Sequence, residues 1–420
     1  MTWKVTSTVE QRLAFCEAAG RPGSNMAALC REYGISRKTG YKWRKRVSAA
    51  AAQGVVAAQA VQTQSRRPHS CPQQTGAVME AAVLALRRAQ PAWGGRKLHN
   101  LLLQRGQALA AGLRVPELQA LPVDPALPVP AASTITALLA RNGYLDPVEC
   151  RKHKPTVRFA MEQPNELWQM DFKGDFVLGD GVRCYPLTVL DDHSRFLLRL
   201  AACSDQRLAT VQTHLTQAFM AYGLPERMLV DNGSPWGCDP TRGRTHPYHT
   251  AFSVWLLHYD VLVCHGRVRH PQTQGKDERL HRSLKAEMLA QAPPASLASC
   301  QAACDAWRNT YNTIRPHEAL GDDPPSLHYR RSQRTLPACL PTLTYDAGIS
   351  VRKVAVGGRF SFKNREWPLG KPFIGYTVGL QPTAKDGCYS VLFGKHAVAT
   401  IDLKDPLRRI QCVTYVPEHV

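Results

Sequence analysis

The chain has 420 residues, which exceeds the size of one ordinary hydrophobic core and predicts several domains. Its 53 lysines and arginines outnumber its 33 aspartates and glutamates, so the formal net charge is +20. A surplus of this size indicates a polyanionic partner, and nucleic acid is the leading candidate. No apolar run approaches bilayer length, and the opening MTWKVTSTVEQRL lacks the apolar segment of a signal peptide. Composition therefore argues against a membrane protein and favours a cytoplasmic one.

Residues 1–50 have the pattern of a helix-turn-helix DNA-binding domain. A capping box from Ser7 to Glu10 begins the first helix, a turn at Gly34 follows the second, and Ser36 caps the third. A basic third helix suits the major groove, where its first turns reach base edges. The competing interpretation is a solvated charged helix. The predicted DNA contacts on this helix are Arg37, Lys38, Lys42, Arg44, Lys45 and Arg46.

Two further segments precede the main domain. Residues 51–75 are rich in alanine, glutamine and serine and are predicted to be a linker. Residues 76–150 return to helical periodicity, interrupted by a stretch rich in proline and alanine, and include ASTITALLARNGYL, a capped helix. We expect this segment to be a second helical DNA-binding module with an inserted loop.

Residues 160–330 have the pattern of an α/β domain. Three strand-like runs, LWQMDFKGDFVL, CYPLTVLDDHS and RFLLRLAAC, are followed by alternating helices and strands. This order predicts a layered fold with a mixed sheet. After a proline-rich break, residues 343–410 supply short strand-like runs, and we expect them to form a small β-barrel that binds DNA. The fold class is therefore multidomain.

The 13 cysteines are scattered along the chain, and only Cys300 and Cys304 lie close together. Because zinc sites of the two-plus-two kind need close Cys or His pairs on both sides, this spacing argues against structural zinc. We expect free thiols in a reducing compartment.

Three carboxylates of the α/β domain are candidate catalytic residues. Asp171 lies in the middle of the first strand, where an acid is costly unless its charge is paired or bound to metal. Asp231 ends the fourth strand in LVDNG, and Glu278 lies on a later helix. Each acid alone also has a purely structural interpretation. Asp171 would be an edge-strand residue, Asp231 a turn residue and Glu278 one partner of a salt bridge. Taken together, they predict an oxygen-ligand site for two Mg²⁺ or Mn²⁺ ions and phosphodiester chemistry.

Polar side chains around Glu278 support a site beside DNA phosphates. A helical face of this kind also allows a simple intrahelical pair between Glu278 and Arg282. Competing acids are Asp277, about 100° away around the helix, and Asp191, which either shapes a turn or assists the metal site. The predicted DNA contacts in this segment are Gln274, Lys276, Arg282 and Lys285.

Four segments, WQMDFKG, LVDNGSPW, HPQTQGKDERLHRSLKAEM and YNTIRPHEALGDDPP, resemble the integrase core of bacterial insertion-sequence transposases. That core is similar to retroviral integrases and has a ribonuclease H-like fold. The resemblance implies that Asp171, Asp231 and Glu278 are the metal-binding catalytic triad of a DDE transposase. It further implies hydrolysis at the ends of an insertion sequence, followed by joining of the freed 3′-hydroxyl to target DNA.

The resemblance also implies partners: terminal inverted repeats, target DNA and a homodimer or higher oligomer on DNA, within the bacterial nucleoid. One departure is the interval of 46 residues between Asp231 and Glu278, which is longer than in many members. The surplus GCDPTRGRTHPYHT has the composition of a surface loop, which a fold tolerates at small entropic cost. Two other functions stay open: a catalytically retired DNA-binding regulator, and a ribonuclease H-like nuclease without transposition.

Overall fold

The structure is a computed structural model that divides the chain into two compact units, residues 1–74 and residues 75–420. Within the part that it describes, no helix combines the length and apolarity needed to cross a membrane. The described residues are 7–64, 74–110, 127–145, 160–231, 233, 235–237, 249–265, 275–290 and 293–413.

The first unit is helical, with α1 (Thr8–Gly20), α2 (Met26–Glu32), α3 (Arg37–Ala52) and the single turn α4 (Ala57–Ala60). The predicted capping box is confirmed, because Ser7 Oγ accepts from Glu10 N and Glu10 Oε2 accepts from Ser7 N. Ser36 caps α3 as predicted, by accepting from Thr39 N at 3.1 Å. Local hydrogen-bonding chemistry therefore sets both helix starts.

Close packing of α3 depends on Gly40. A Cβ at this position would lie 2.6 Å from Cys30 Sγ and 2.9 Å from a ring carbon of Phe15, which is closer than van der Waals contact. Helix α3 continues beyond residue 50 to Ala52, and Val61, after α4, is fully buried in this unit. Part of the segment predicted as a linker thus has helical structure.

The second unit begins with helices α5 (Ala77–Ala89), α6 (Gly95–Ala110) and α7 (Ala132–Arg141). They pack around Trp93, whose side chain is fully buried. Arg87 closes the group by donating to the carbonyl oxygens of Trp93 at 2.6 Å and Tyr144 at 2.9 Å. The structure describes three helices in this segment, and residues 111–126 of its inserted loop lie outside the described part.

A six-stranded mixed sheet forms the centre of the second unit. Its order is β2-β3-β1-β5-β6, and β4 also pairs with β3. Strand β1 is antiparallel to β3 and parallel to β5, while β5 and β6 are parallel. The predicted α/β arrangement with a mixed sheet is confirmed. The strands are β1 (Leu167–Phe172), β2 (Phe176–Val177), β3 (Arg183–Asp191), β4 (Leu197–Cys203), β5 (Arg227–Val230) and β6 (Leu262–His265).

Helices cover this sheet and bury its apolar side chains, including Trp168 and Met228. The last of them is tied to β4 by Asn312, whose amide accepts from Leu197 N at 2.8 Å and donates to Leu197 O at 3.0 Å. The helices are α8 (Leu208–Tyr222), α9 (Ala251–His258), α10 (Gly275–Leu284), continued by a π-helical segment (Lys285–Leu289), and α11 (Leu297–Thr313). Short 3₁₀ turns follow at Glu318–Leu320 and Pro325–Leu327.

The C-terminal region is an antiparallel β structure, but the predicted small β-barrel is wrong. In the described residues, the five-stranded sheet runs β13-β12-β11-β10-β7 and its end strands pair with no further strand, while β8 and β9 form a separate hairpin. Val254 and Leu257 of α9 join the apolar cluster of this region, so helix packing buries the sheet without closure. The elements are β7 (Ser350–Lys353), β8 (Arg359–Phe362), β9 (Arg365–Pro368), a 3₁₀ turn (Lys371–Phe373), β10 (Thr377–Pro382), β11 (Cys388–Phe393), β12 (His396–Asp402) and β13 (Ile410–Cys412).

Candidate active site

The parallel pairing of β1 with β5 brings two of the predicted catalytic acids to the same edge of the sheet. The last paired residues are Gln169 and Leu229. Two residues further along each strand the chain carries Asp171 and Asp231, so the register places the two aspartates side by side. Because equivalent positions on parallel strands point to the same face, the carboxylates share one surface of the sheet.

Electrostatic interactions link the three predicted acids. Burial, together with the negative charges of Asp231 and Glu278, raises the pKa of Asp171 to about 7. The side chain of Asp171 is 28% exposed, so solvent still reaches it. A carboxyl that is both desolvated and surrounded by like charges is typical of a functional site.

Helix α10 lies against β1 through His281. Its Nδ1 is 3.8 Å from Asp171 Oδ2, and its Nε2 is 2.9 Å from the hydroxyl of Thr188, which donates to the backbone oxygen of Asp171. Burial lowers the pKa of His281 to about 4, so the ring is neutral near pH 7. Glu278 precedes His281 by three positions, on the adjacent turn of the helix, and is exposed.

Asp231 is held by the loop that follows β5. Its Oδ1 accepts from Gly233 N at 3.0 Å and from the indole N–H of Trp236. Its backbone oxygen lies 3.0 Å from His265 Nδ1 on β6. The Trp236 ring stacks on Phe172 with centroids 5.3 Å apart, so aromatic packing joins the ends of β1 and β5.

The donor chemistry of these acids suits Mg²⁺ or Mn²⁺, which prefer carboxylate oxygens to nitrogen or sulfur. In the described part of the chain, however, no three His, Cys, Asp or Glu side chains are grouped closely enough to hold an ion. Asp171 and Asp231 meet at the sheet edge, whereas Glu278 extends into solvent one helical turn from His281. Mutual repulsion opposes a closer approach of three ionised acids.

The competing acids have different surroundings. Asp277 is fully buried, and neither carboxyl oxygen has a hydrogen-bond partner among the described residues. Burial and the neighbouring charges of Asp171 and Asp192 raise its pKa well above the usual range. Asp191 accepts from Asn165 N at 2.7 Å and from Ser194, which supports the turn-shaping interpretation.

The predicted DNA contacts near Glu278 differ in exposure. Arg282 and Lys285 are exposed on α10 and its π-helical extension, as a phosphate contact requires. The predicted DNA contact of Lys276 is corrected by the structure. Its ammonium is bonded to Asp192 and its side chain is only 12% exposed, so Lys276 forms an internal ion pair. Burial lowers the pKa of Lys276 to about 8. Gln274 lies outside the described residues.

The predicted DNA contacts on α3 also differ in exposure. Arg46 is half-buried, stacks on Trp43 at 5.0 Å and donates to Gln64 at 2.8 Å, so it stabilises the fold of this unit. Tyr41, which is not among the predicted contacts, is 55% exposed beside these cations and lies four residues after Arg37 on the same helical face. The other predicted contacts are exposed: Arg37, Lys38, Lys42, Arg44 and Lys45.

Three models of known domain families match parts of this chain. A family model described as the integrase core domain matches residues 161–271, and a second model with the same description matches residues 259–325. Together these two matches extend over residues 161–325, the part of the chain that contains the six-stranded sheet. A third model, the C-terminal domain of IS481 family transposases, matches residues 349–407. The chain therefore carries an integrase core domain followed by an IS481-type transposase C-terminal domain.

Individual relatives are similar over part of their length. An uncharacterised 39.2 kDa protein of insertion element IS476 from Xanthomonas euvesicatoria is 29% identical over 41% of this chain and 48% of the relative. A protein of Geobacillus stearothermophilus, provisionally named a transposase for insertion sequence element IS5376, is 26% identical over 56% of this chain and 58% of the relative. The chain thus spans about half the length of the curated relatives that it matches.

Solved structures give weaker likenesses. The HTLV-2 integrase catalytic core domain in complex with magnesium is 17% identical with a TM-score of 0.29, over 40% of this chain and 99% of that one. A simian T-cell lymphotropic virus intasome in complex with a PP2A regulatory subunit is 13% identical with a TM-score of 0.33, over 74% of this chain and 96% of that one.

Proposed function

We propose that this protein is a DNA transposase that cleaves the ends of an insertion sequence and joins the 3′-hydroxyl ends to target DNA. The observation that carries this proposal is the register of β1 and β5, which sets Asp171 beside Asp231 at one sheet edge. The match of residues 161–325 to integrase core models supports it. A ribonuclease H-like nuclease or a retired regulator would share the fold but not the complete reaction.

Asp171, Asp231 and Glu278 are the residues proposed to hold Mg²⁺ or Mn²⁺, with two ions expected. When bound, such ions lower the pKa of a nucleophilic oxygen and stabilise the leaving oxygen of a phosphodiester. In end cleavage, water attacks phosphorus and the P–O3′ bond breaks, which leaves a 3′-hydroxyl. In strand transfer, that hydroxyl attacks a target phosphodiester and displaces the target 3′ oxygen, so the number of phosphodiester bonds is conserved.

The chain's own side chains have two proposed tasks around this chemistry. Thr188 positions Asp171 through the hydrogen bond to its backbone oxygen, and the neutral His281 ring lies 3.8 Å from its carboxylate without adding a competing charge. Arg282 and Lys285 bind DNA phosphates near Glu278. Neither cation specifies base sequence, since phosphate contacts position the duplex without reading it.

Recognition of the terminal inverted repeats is proposed for α3, whose exposed face carries Arg37, Lys38 and Arg44. The C-terminal sheet is proposed to bind DNA without sequence preference, since Arg352 and Lys353 of β7 are exposed. Two element ends must be processed together, so a homodimer or larger assembly on DNA is expected. The role of the helices α5–α7 in DNA binding remains part of this proposal.

The test measures end cleavage and strand transfer separately with Mg²⁺. Asp231→Asn should abolish both reactions while DNA binding persists, and Asp346→Asn, at an exposed aspartate of the C-terminal region, should leave both intact. Full activity of Asp231→Asn would show that Asp231 is not a catalytic residue. If the unchanged protein cleaves element ends but does not join a pre-cut 3′ end, the result would instead favour the nuclease. If the unchanged protein binds DNA but performs neither reaction, the result would favour the regulator.

A further inference from the structure

Trp236 is buried although it lies in the loop that follows β5. It follows Asp231 by five residues, after β5 has ended, yet its side chain is only 1% exposed. A large ring held this firmly in a loop must be anchored by contacts on several sides. Those contacts reach the two predicted metal-binding strands.

The first contact is polar. The indole N–H donates to Asp231 Oδ1, the same oxygen that accepts from Gly233 N at 3.0 Å. Both donors therefore hold one oxygen, and Oδ2 receives neither bond. A Cβ at Gly233 would lie 2.9 Å from Oδ2, so the absence of a side chain there gives this oxygen its space.

The remaining contacts are aromatic and structural. The Trp236 ring stacks on Phe172 at 5.3 Å with an interplanar angle of 10°, and Phe172 directly follows Asp171. Phe252 of α9 packs on it at 6.1 Å. The Trp236 carbonyl accepts from the Thr250 hydroxyl at 3.0 Å, at the start of the same helix. One residue thus joins the ends of β1 and β5 to α9.

From this geometry we infer that Trp236 is a positioning residue, which holds the Asp231 carboxylate through Oδ1 so that Oδ2 would be available to a metal ion. The inference rests on the proposed function. The N–H restricts rotation of the carboxylate, and an outer partner of this kind commonly contributes about 10- to 100-fold in metal affinity. The ring stack keeps the donor fixed relative to Asp171. If the ring only filled space, the N–H would be dispensable.

Trp236→Phe separates these two roles, because it keeps a stacked ring and removes the N–H. The experiment follows thermal unfolding of the full chain, without DNA, as MgCl₂ is added, since a ligand that binds the folded state raises its melting temperature. We expect the melting temperature of Trp236→Phe to begin to rise at about tenfold higher Mg²⁺ than that of the unchanged chain. Trp255→Phe is the matched control, because Trp255 packs on Phe252 in the same cluster and should titrate normally.

Asp231→Asn separates failure of the inference from failure of the proposed function. If Asp231→Asn loses the Mg²⁺ response and Trp236→Phe titrates like the unchanged chain, Trp236 has only a packing role and the inference is overturned. If Asp231→Asn keeps the full response, the proposed metal site fails, and the inference fails with it. An equal change in Trp236→Phe and Trp255→Phe would indicate general loosening of the core, which also overturns it.

A measurement on the unchanged chain covers the case in which Trp236→Phe does not fold. The eight tryptophans give eight indole N–H signals in a ¹⁵N-tryptophan spectrum. One signal should shift both on addition of Mg²⁺ and on the change Asp231→Asn, because its acceptor is the metal-binding carboxylate. If no indole signal responds to both, Trp236 does not position Asp231.

Discussion

Asp171→Asn should stabilise the metal-free protein while abolishing its proposed activity. Burial and the charges of Asp231 and Glu278 raise the pKa of Asp171 from the usual 3.8 to about 7. The amide keeps the shape of the side chain and cannot ionise, so the cost of a desolvated charge among like charges is removed. A stabilised but inactive variant is the outcome expected where an active site stores unfavourable electrostatics.

The magnitude follows from the pKa. Each pKa unit corresponds to about 1.4 kcal/mol, so the rise from 3.8 to about 7 gives an upper bound of about 4 kcal/mol. The Asp171 side chain is 28% exposed, and solvent screening reduces the expected gain to about 2 kcal/mol. Because the folded pKa is raised, the stability associated with this group is fully present below about pH 4 and is lost as pH rises through 7.

The assay is denaturant unfolding of both proteins with a chelator present, at about pH 5 and about pH 8. The advantage of Asp171→Asn should be less than half its full size at the lower pH and should approach its full size at the higher pH. An equal advantage at both pH values would refute the electrostatic reasoning, since only ionisation distinguishes the two conditions. A loss of stability at both values would mean that Asp171 makes a favourable interaction that outweighs its burial.

Three further outcomes are expected. Asp277→Leu should raise the free energy of unfolding by about 1–3 kcal/mol, because it removes a buried carboxyl group that has no partner in the described structure; a decrease would contradict its isolation. Lys276→Ala should lower the free energy of unfolding by about 3 kcal/mol, because it removes the ion-pair partner of Asp192. Arg282→Ala should instead reduce the slope of log binding constant against log salt concentration by about one for DNA binding. If Lys276→Ala changed the salt slope and Arg282→Ala changed the stability, the internal and external assignments would be reversed. Tyr41→Ala should reduce discrimination between the terminal repeat and random DNA about tenfold in a competition binding assay, and unchanged discrimination would exclude base contact by this residue.

The helix starts at Ser7 and Ser36 were predicted correctly because capping depends on residues within three positions of each other. The strands that carry Asp171 and precede Asp231 were also predicted, since apolar runs bounded by turn residues are a local signal. The roles of the three acids remain predictions from resemblance. The parallel register that sets Asp171 beside Asp231 could not be read from either strand alone.

The errors arose where distant segments meet. The C-terminal strands were predicted to close into a barrel, but Val254 and Leu257, far earlier in the chain, cover the sheet instead. Lys276 was assigned to DNA because it lies near a helix start, but its partner Asp192 is 84 residues away in sequence. No local pattern distinguishes a cation that faces solvent from one captured by such an acid.

Backbone preference, periodicity and capping act over a few residues, so the amino-acid order alone was enough to define most helices and strands and to nominate the acids. Packing acts between segments that are remote in sequence, and it decided which of two adjacent acids, Asp277 or Glu278, was buried. It also brought Trp236 against the ends of β1 and β5. These arrangements come from the burial of apolar area across the whole unit, which is a property that no short segment contains.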